Sequence, residues 1–428
     1  MRQGDFGYSD QYPLARIGSF LRQSKKSIYI KDENSYKRVT VRTNNGGVCL
    51  RDIKKGKEIG TKKQNVVHRG QYIVSKIDAR NGAFGIIPDE LDGAIVTNDF
   101  PVFDVDNSII NTEFLLLVTT TKPFIAFAQS CSSGTTNRRR IDIEKFLDQE
   151  IPLPDIDEQE NLMKLYNNFI RKAQLMKDKV LLIEKKIDAY ILNELSVRFI
   201  STSFESIGTC NFLKSIHSKD IQRWDCYNIR YQPESTLYNN INLAQILISP
   251  PMYGAAYKAS SDYSGIRYIR ITDINEDGSL TSAAVSAIGY DDTYLLKQND
   301  FLIARSGNTV GKTFLYDSSM GKAIFAGYLI RFRLNEKAVI PQYLLYYTKC
   351  SLYKQWINSN KRVSAQPNIN SQQYLNSPII LPPINIQERM VKDVSQQRHE
   401  IDMLQMEANK CKDKALHEFE KALFKNEQ

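Results

Sequence analysis

The 428-residue chain has no apolar stretch that could cross a bilayer. Its longest runs, such as Phe114-Leu115-Leu116-Leu117-Val118, fall far short of the roughly 18 residues a spanning helix needs. The opening segment, MRQGDFGYSDQYPLARIGSF, lacks a cationic start followed by an apolar core, so no secretory leader is expected and a cytoplasmic location is. Cysteine is scarce: Cys49, Cys131, Cys210, Cys226, Cys350 and Cys411 lie far apart, with no C-x-x-C pair. That spacing excludes a zinc ribbon and fits reduced thiols. Four histidines, His68, His217, His399 and His417, are too scattered for a metal cluster, and no Ser/His/Asp or Cys/His set has motif support.

What is present describes a globular chain. Hydrophobic residues at 42%, charged residues at 25% and aromatic residues at 10% argue against disorder, and the length allows about three units with cores of their own. Lysine and arginine (57) exceed aspartate and glutamate (48), for a net charge of +9, which makes a polyanion a plausible partner.

The chain repeats itself. At an offset of 228, Ile151-Pro-Leu-Pro-Asp-Ile-Asp-Glu-Gln-Glu160 falls on Ile379-Ile-Leu-Pro-Pro-Ile-Asn-Ile-Gln-Glu388. At 229, Gly82 meets Gly311, Ala94-Ile95 meet Ala323-Ile324, Phe103 meets Phe332, and Phe114-Leu115-Leu116 meet Tyr343-Leu344-Leu345. One offset held to within a residue over such a span indicates two copies of one unit.

Each copy has the same internal order. The first part is β-rich: 71–76 and 300–305 cluster β-branched and aromatic residues, and Asn81-Gly82, Asp277-Gly278 and Gly307-Asn308 signal turns. Short helices are expected at 112–120 and 341–351, the second with Pro341 in its first turn. Prolines follow, at Pro152 and Pro154 and at Pro378, Pro382 and Pro383. Both copies then become long amphipathic helices. Leu162, Leu165, Phe169, Ala173, Met176, Val180, Ile183, Ile187, Ile191 and Leu195 recur every three or four residues in one. Met390, Val394, Gln397, Ile401, Leu404, Ala408, Cys411 and Ala415 do so in the other. About 40 residues make a helix on the order of 60 Å long, too long to bury its stripe on one small domain. The expected fold is α+β: two tandem β-rich domains, each followed by a long helix, the helices forming an antiparallel coiled coil with pseudo-two-fold symmetry.

This order, with the duplicated I-P-L-P-x-x-x-x-Q-E helix start, the segment Arg267-Tyr-Ile-Arg-Ile-Thr-Asp-Ile274, and Asp300-Phe-Leu-Ile-Ala-Arg-Ser-Gly307 followed by Gly311-Lys312, resembles the specificity (S) subunit of type I restriction-modification systems over essentially the whole chain. The resemblance implies target recognition domains at 1–154 and 201–383 and spacer helices at 155–200 and 384–428. Each domain would read one half of a bipartite double-stranded DNA site, while the helices set the spacing and bind methyltransferase (modification) and restriction/translocase subunits. The subunit itself would be non-catalytic and hold no cofactor. S-adenosylmethionine, ATP and Mg would serve the partners in adenine methylation and ATP-dependent cleavage. The first domain departs most from the pattern: Val39-Thr-Val-Arg-Thr43 stands where the second has Tyr268-Ile-Arg-Ile-Thr272.

Phosphate contacts need Lys or Arg in loops, and base reading needs side chains able to form paired hydrogen bonds. DNA-binding candidates in the first domain are Arg42, Thr43, Lys76, Arg80, Asn81, Arg138, Arg139 and Arg140, with the basic stretch Lys54, Lys55, Lys57, Lys62 and Lys63. In the second they are Arg270, Thr272, Arg305, Asn308, Thr309, Lys312, Lys361, Arg362, Gln366 and Asn368. Leu162, Phe169, Met176, Ile183, Ile401 and Leu404 mark the partner-binding helices.

Enzyme motifs fail on inspection. Gly307-Asn-Thr-Val-Gly-Lys-Thr313 has three residues between its glycines where a P-loop needs four, and a strand-like run follows where a helix should begin. Ser249-Pro-Pro-Met-Tyr253 is similar to an amino-methyltransferase motif, but Met252 occupies its aromatic position, so it reads as a proline-marked turn. Glu184-x-Lys186 lies on a charged helix face that simply solvates the surface. The alternative is a coiled-coil interaction protein or DNA-binding regulator that joins no restriction-modification complex.

Overall fold

The computed structural model describes residues 7–133, 140–198, 234–262, 265–361 and 367–425. The chain forms two compact units, Met1–Lys177 with Met406–Gln428, and Asp178–Gln405.

In the first unit, strand Leu14–Arg16 pairs antiparallel with Glu150–Pro152, so the start of the domain is tied to the proline segment before the helix. A four-stranded sheet runs Leu21–Gln23, Val102–Val105, Tyr72–Val74, Phe84–Ile86. A five-stranded sheet runs Ser27–Tyr29, Lys63–Val66, Ile95–Val96, Ser35–Val41, Val48–Lys55, with Arg38 and Ile95 paired in parallel. Helices α1 (Thr112–Thr119), α2 (Lys122–Ser130) and α3 (Ile143–Asp148) cover the smaller sheet, and α4 (Ile156–Glu194) follows. Asn111 caps α1 and Asp142 caps α3, each accepting from two backbone N–H groups of the first turn. Phe84, Phe103, Phe114, Phe124 and Phe146 fill the core between sheet and helices.

The second unit repeats the closing strand pair, the four-stranded sheet and the parallel pair, without the full five-stranded sheet. Asn240–Asn242 pairs with Pro378–Ile380. The four-stranded sheet runs Met252–Tyr253, Leu329–Phe332, Phe301–Ala304, Thr313–Leu315, and Arg267–Ile269 pairs in parallel with Ala323–Phe325. Helices α5 (Pro341–Tyr347), α6 (Ser351–Asn360), α7 (Ser371–Leu375) and α8 (Ile384–Leu423) complete it. The segment expected as one helix over 341–351 ends at Tyr347, and α6 starts separately, its Ser351 N–H donating to Asp188 of α4 at 2.7 Å.

The helix starts are built alike. Gln159 is fully buried, accepting from the Asn111 N–H at 2.8 Å and donating to the carbonyls of Ile109 and Pro154. Gln387, also fully buried, accepts from the Ile340 N–H at 2.8 Å and donates to Ala338 and Pro382. In both, one amide satisfies three backbone groups that burial would otherwise orphan.

Each unit takes part of both long helices, because their apolar stripes are buried against the domain as well as against each other. In the first unit Met163 of α4 and Phe419 and Leu423 of α8 join the domain core, Tyr166 meets Phe419, and Phe169 lies under Lys414. In the second, Val180 and Ile183 pack on Ile401, Tyr190 donates to Asp393 at 2.6 Å, Arg389 pairs with Glu194, and Ile191 and Leu195 join Met390 and Val394 in the domain core. Partners rise along one helix as they fall along the other, so within each unit the segments are antiparallel. Leu165, assigned to the stripe from its spacing, is exposed; Met163 and Tyr166 turn inward instead. Helix α4 ends at Glu194, short of the expected 200, where Ser196 takes φ 48.

Gln387→Leu keeps the volume and leaves three buried backbone groups unpaired. It is expected to destabilise by about 1–3 kcal/mol, seen as a lower urea midpoint, whereas an unchanged midpoint would remove the glutamine from this role.

Candidate nucleic-acid interface

In the first unit the hairpin between Ser35–Val41 and Val48–Lys55 carries Arg42 and Thr43 at its tip, both exposed. Asn44 and Asn45 adopt left-handed backbone there, and their N–H groups donate to the carbonyls of Asn81 (2.7 Å) and Gly82 (3.2 Å). Gly82 has φ 75, and a Cβ on it would sit 2.5 Å from Asn45 Oδ1, so only glycine permits the contact. The fold thereby brings Arg42 and Thr43 beside Arg80 and Asn81, candidates far apart in sequence. Lys76 and Arg140 also meet, since the Ile141 N–H donates to the Lys76 carbonyl at 2.8 Å, and Arg140 pairs with Asp99 at 2.9 Å. Lys54, Lys55, Lys57, Lys62 and Lys63 are not part of this group. Lys54 and Lys55 lie at the opposite end of the hairpin from Arg42, and Lys62 pairs with Asp32 at 2.6 Å.

In the second unit, loop 305–309 is stitched to 367–369: the Ile369 N–H donates to Arg305 O and the Gly307 N–H to Pro367 O. Arg305, Asn308, Thr309 and Asn368 therefore share one surface. Thr309 also closes the turn through its hydroxyl to Ser306 O at 2.9 Å. The Arg305 guanidinium stacks over the Tyr253 ring, 4.9 Å from its centroid, and the Tyr253 hydroxyl exchanges hydrogen bonds with Ser371. Burial raises the Tyr253 pKa, but the Ser371 bonds and the Arg305 charge outweigh it and leave the phenol below its usual value. Arg305 Nε and Asn368 Oδ1 are buried with no hydrogen-bond partner among the described residues.

Other basic candidates are tied to groups of their own domain. Arg270 grips the buried Asp273 carboxylate through Nε at 3.1 Å and Nη2 at 2.8 Å, which holds the loop that exposes Thr272. Lys312 pairs with Glu276 at 3.1 Å and reaches the Ile274 carbonyl, and Lys361 donates to Asn358 of its own helix end. Arg138, Arg139, Arg362 and Gln366 lie outside the described residues.

The helix candidates divide as well. Ile183 and Ile401 are buried in the seam with Leu404 beside them, Leu162 packs on the first domain's core, and Phe169 and Met176 are half-buried. A three-four periodicity marks the side a helix buries within its own chain. The apolar side chains left outward are others, including Leu165, Leu175, Leu181, Leu182 and Met403.

One cation, Lys349, is largely drawn in from solvent. Lys349 lies under the Asp277-Gly278 turn, where Gly278 has φ 89, and donates to Thr313 O at 2.9 Å, while Arg398 of α8 holds the Asp277 carbonyl. Burial pushes the Lys349 pKa down to about 7, against a smaller opposing pull from Asp277.

The arrangement is a repeated scaffold that presents polar and cationic loops at corresponding strand ends, as a tandem DNA-specificity protein requires. The family model of the type I restriction modification DNA specificity domain matches residues 14–185 and 244–410, so the chain belongs to that family and carries its domain twice. It is a type I specificity subunit. A chain from a structural study of complex assembly and conformational transition of the type I R-M system shares its fold, at 15% identity and TM-score 0.51, covering 97% of this chain and 98% of its own. The HsdS subunit from Thermoanaerobacter tengcongensis aligns at 14% identity over 99% of both chains with TM-score 0.38. The type I restriction-modification S subunit from M. genitalium aligns at 13% over 98% of both with TM-score 0.44. No curated protein matches the chain significantly.

Because folding favours the neutral Lys349 amine, its penalty is largest at or below about pH 7 and fades as pH rises toward 10.5, so stability rises through that window. Lys349→Met is expected to be more stable than the parent at pH 7, with the difference shrinking by pH 9 in urea unfolding. Parallel profiles would contradict the assignment.

Proposed function

We propose that the chain reads a bipartite double-stranded DNA target, one half-site per domain, and directs methyltransferase and restriction/translocase subunits to it. The observation that carries this reading is the family match in two copies, 14–185 and 244–410, over domains that share the order of their four-stranded sheets. The DNA-facing set comprises Arg42, Thr43, Arg80 and Asn81 with Lys76 and Arg140 in the first domain, and Arg305, Asn308, Thr309 and Asn368 in the second, with Thr272 on a neighbouring loop. Paired-off Arg270, Lys312 and Lys361 support these loops. The outward leucines and Met403 of the long helices offer the partner subunits apolar contact.

The chemistry belongs to the partners, which would hold S-adenosylmethionine, ATP and Mg. The chain contributes position: two weak readers on one chain bind together far more tightly than either alone. A cytoplasmic site of action follows from this role. Consistent with it, no helix among the described residues is long and apolar enough to cross a membrane.

Methylation-sensitive sequencing of genomic DNA with and without the gene tests the reading. Loss of one bipartite methyladenine motif on deletion is expected, and a retained motif would contradict it. Lengthening α4 and α8 by equal turns is expected to change the gap between half-sites and leave the bases read unchanged. Altered bases at an unaltered gap would overturn the division between reader and ruler.

A further inference from the structure

The two domains share one backbone junction and furnish it differently. In the first, the Lys76 N–H donates to Asp99 O at 2.8 Å and the Ile141 N–H to Lys76 O at 2.8 Å. In the second, the Arg305 N–H donates to Tyr328 O at 2.9 Å and the Ile369 N–H to Arg305 O at 3.0 Å. The repeat offset carries Lys76 onto Arg305, Asp99 onto Tyr328 and Arg140 onto Asn368. Three neighbouring chain segments thus bring three side chains to one place, a lysine, an acid and an arginine in one domain and an arginine, a tyrosine and an asparagine in the other. The cores beneath are equivalent: Phe146 in the first domain takes the place of Tyr374, whose hydroxyl donates to Ala304 O in the second.

Resting on the DNA-recognition reading above, we propose that this junction is the specificity-determining position of each domain, and that in the second domain Arg305 reads a guanine edge with Tyr253 as its positioning residue. Three observations converge. Arginine is the residue whose paired donors match guanine O6 and N7, and the Tyr253 ring, 4.9 Å from the guanidinium carbon, holds the group in place by cation–π attraction before DNA arrives. Tyr253 is itself anchored by Ser371. The buried Arg305 Nε and Asn368 Oδ1 lack partners among the described residues, an unfavourable state that a structural arginine-asparagine contact would have relieved. Tyr328 stands 53% exposed beside them, a phenol free to face a groove. In the first domain the same place holds the Arg140–Asp99 pair with Lys76, a different set of donors and acceptors, as reading a different half-site requires.

The test uses the full chain assembled with its methyltransferase subunits, in competition binding to target duplexes each substituted at one base pair. Arg305→Lys keeps the charge and loses the fork. It is expected to relax preference at one base pair of one half-site by about tenfold or more, leaving the other half-site and the gap unchanged. Tyr253→Ala is expected to relax that same base pair, while Tyr253→Phe, which keeps the ring and loses only the Ser371 anchor, is expected to relax it less. If Arg305→Lys leaves every preference intact, or weakens binding evenly across all duplexes as loss of a phosphate contact would, the proposal falls. Thermal unfolding of each assembled variant separates misfolding from misreading, and Arg305→Lys and Tyr253→Phe keep the test decisive should Tyr253→Ala unfold. A parent complex that shows no bipartite preference would instead overturn the DNA-recognition reading itself.

Discussion

A buried glutamine side chain, Gln159 in one repeat and Gln387 in the other, joins each domain to its long helix. It accepts from the chain before the first short helix and donates to the proline segment and the preceding loop, so three backbone groups depend on one amide. Buried polar groups are costly unless paired, so the direction in which the helix leaves the domain is fixed with it. The rest of the design depends on that direction, because a reader separated from its ruler by a flexible joint would lose the gain from acting together.

On this joint the fold repeats a frame and varies its surface. Strand order in the four-stranded sheets, the parallel pair beside them and the strand closing each domain recur. The first domain adds a long hairpin whose tip docks on the Ala79–Gly82 turn, and the second clamps the corresponding loop with Arg270 and Asp273. Rigid frames with variable loop ends are how one architecture serves two sequences: the backbone places a side chain at a given spot, and the residue type there decides which base edge it satisfies.

Much of this was legible in the sequence. The constant offset revealed the duplication, the I-x-L-P-x-x-x-x-Q-E segments revealed where helices begin, and the periodicity revealed their length. Details that depend on strand adjacency were not. Leu165 matched the stripe by spacing, yet Met163 and Tyr166 are the residues turned to the core, because a helix shared between a domain and another helix does not keep one ideal face. Arg270 and Lys312 stand among the DNA-binding candidates by sequence, and their ion pairs with Asp273 and Glu276 are set by loop closure. Tyr253 was read only as part of a proline-marked turn, and Asp99 and Tyr328 drew no notice, since their place is defined by chain segments that meet only in the folded domain.

The central claim is that two copies of one unit each read DNA independently. A scan of single base-pair substitutions across the target duplex, measuring affinity of the assembled complex, tests it most directly. The account predicts two blocks of sensitive base pairs separated by a gap that tolerates any base. One contiguous block, or uniform indifference to substitution, would contradict it.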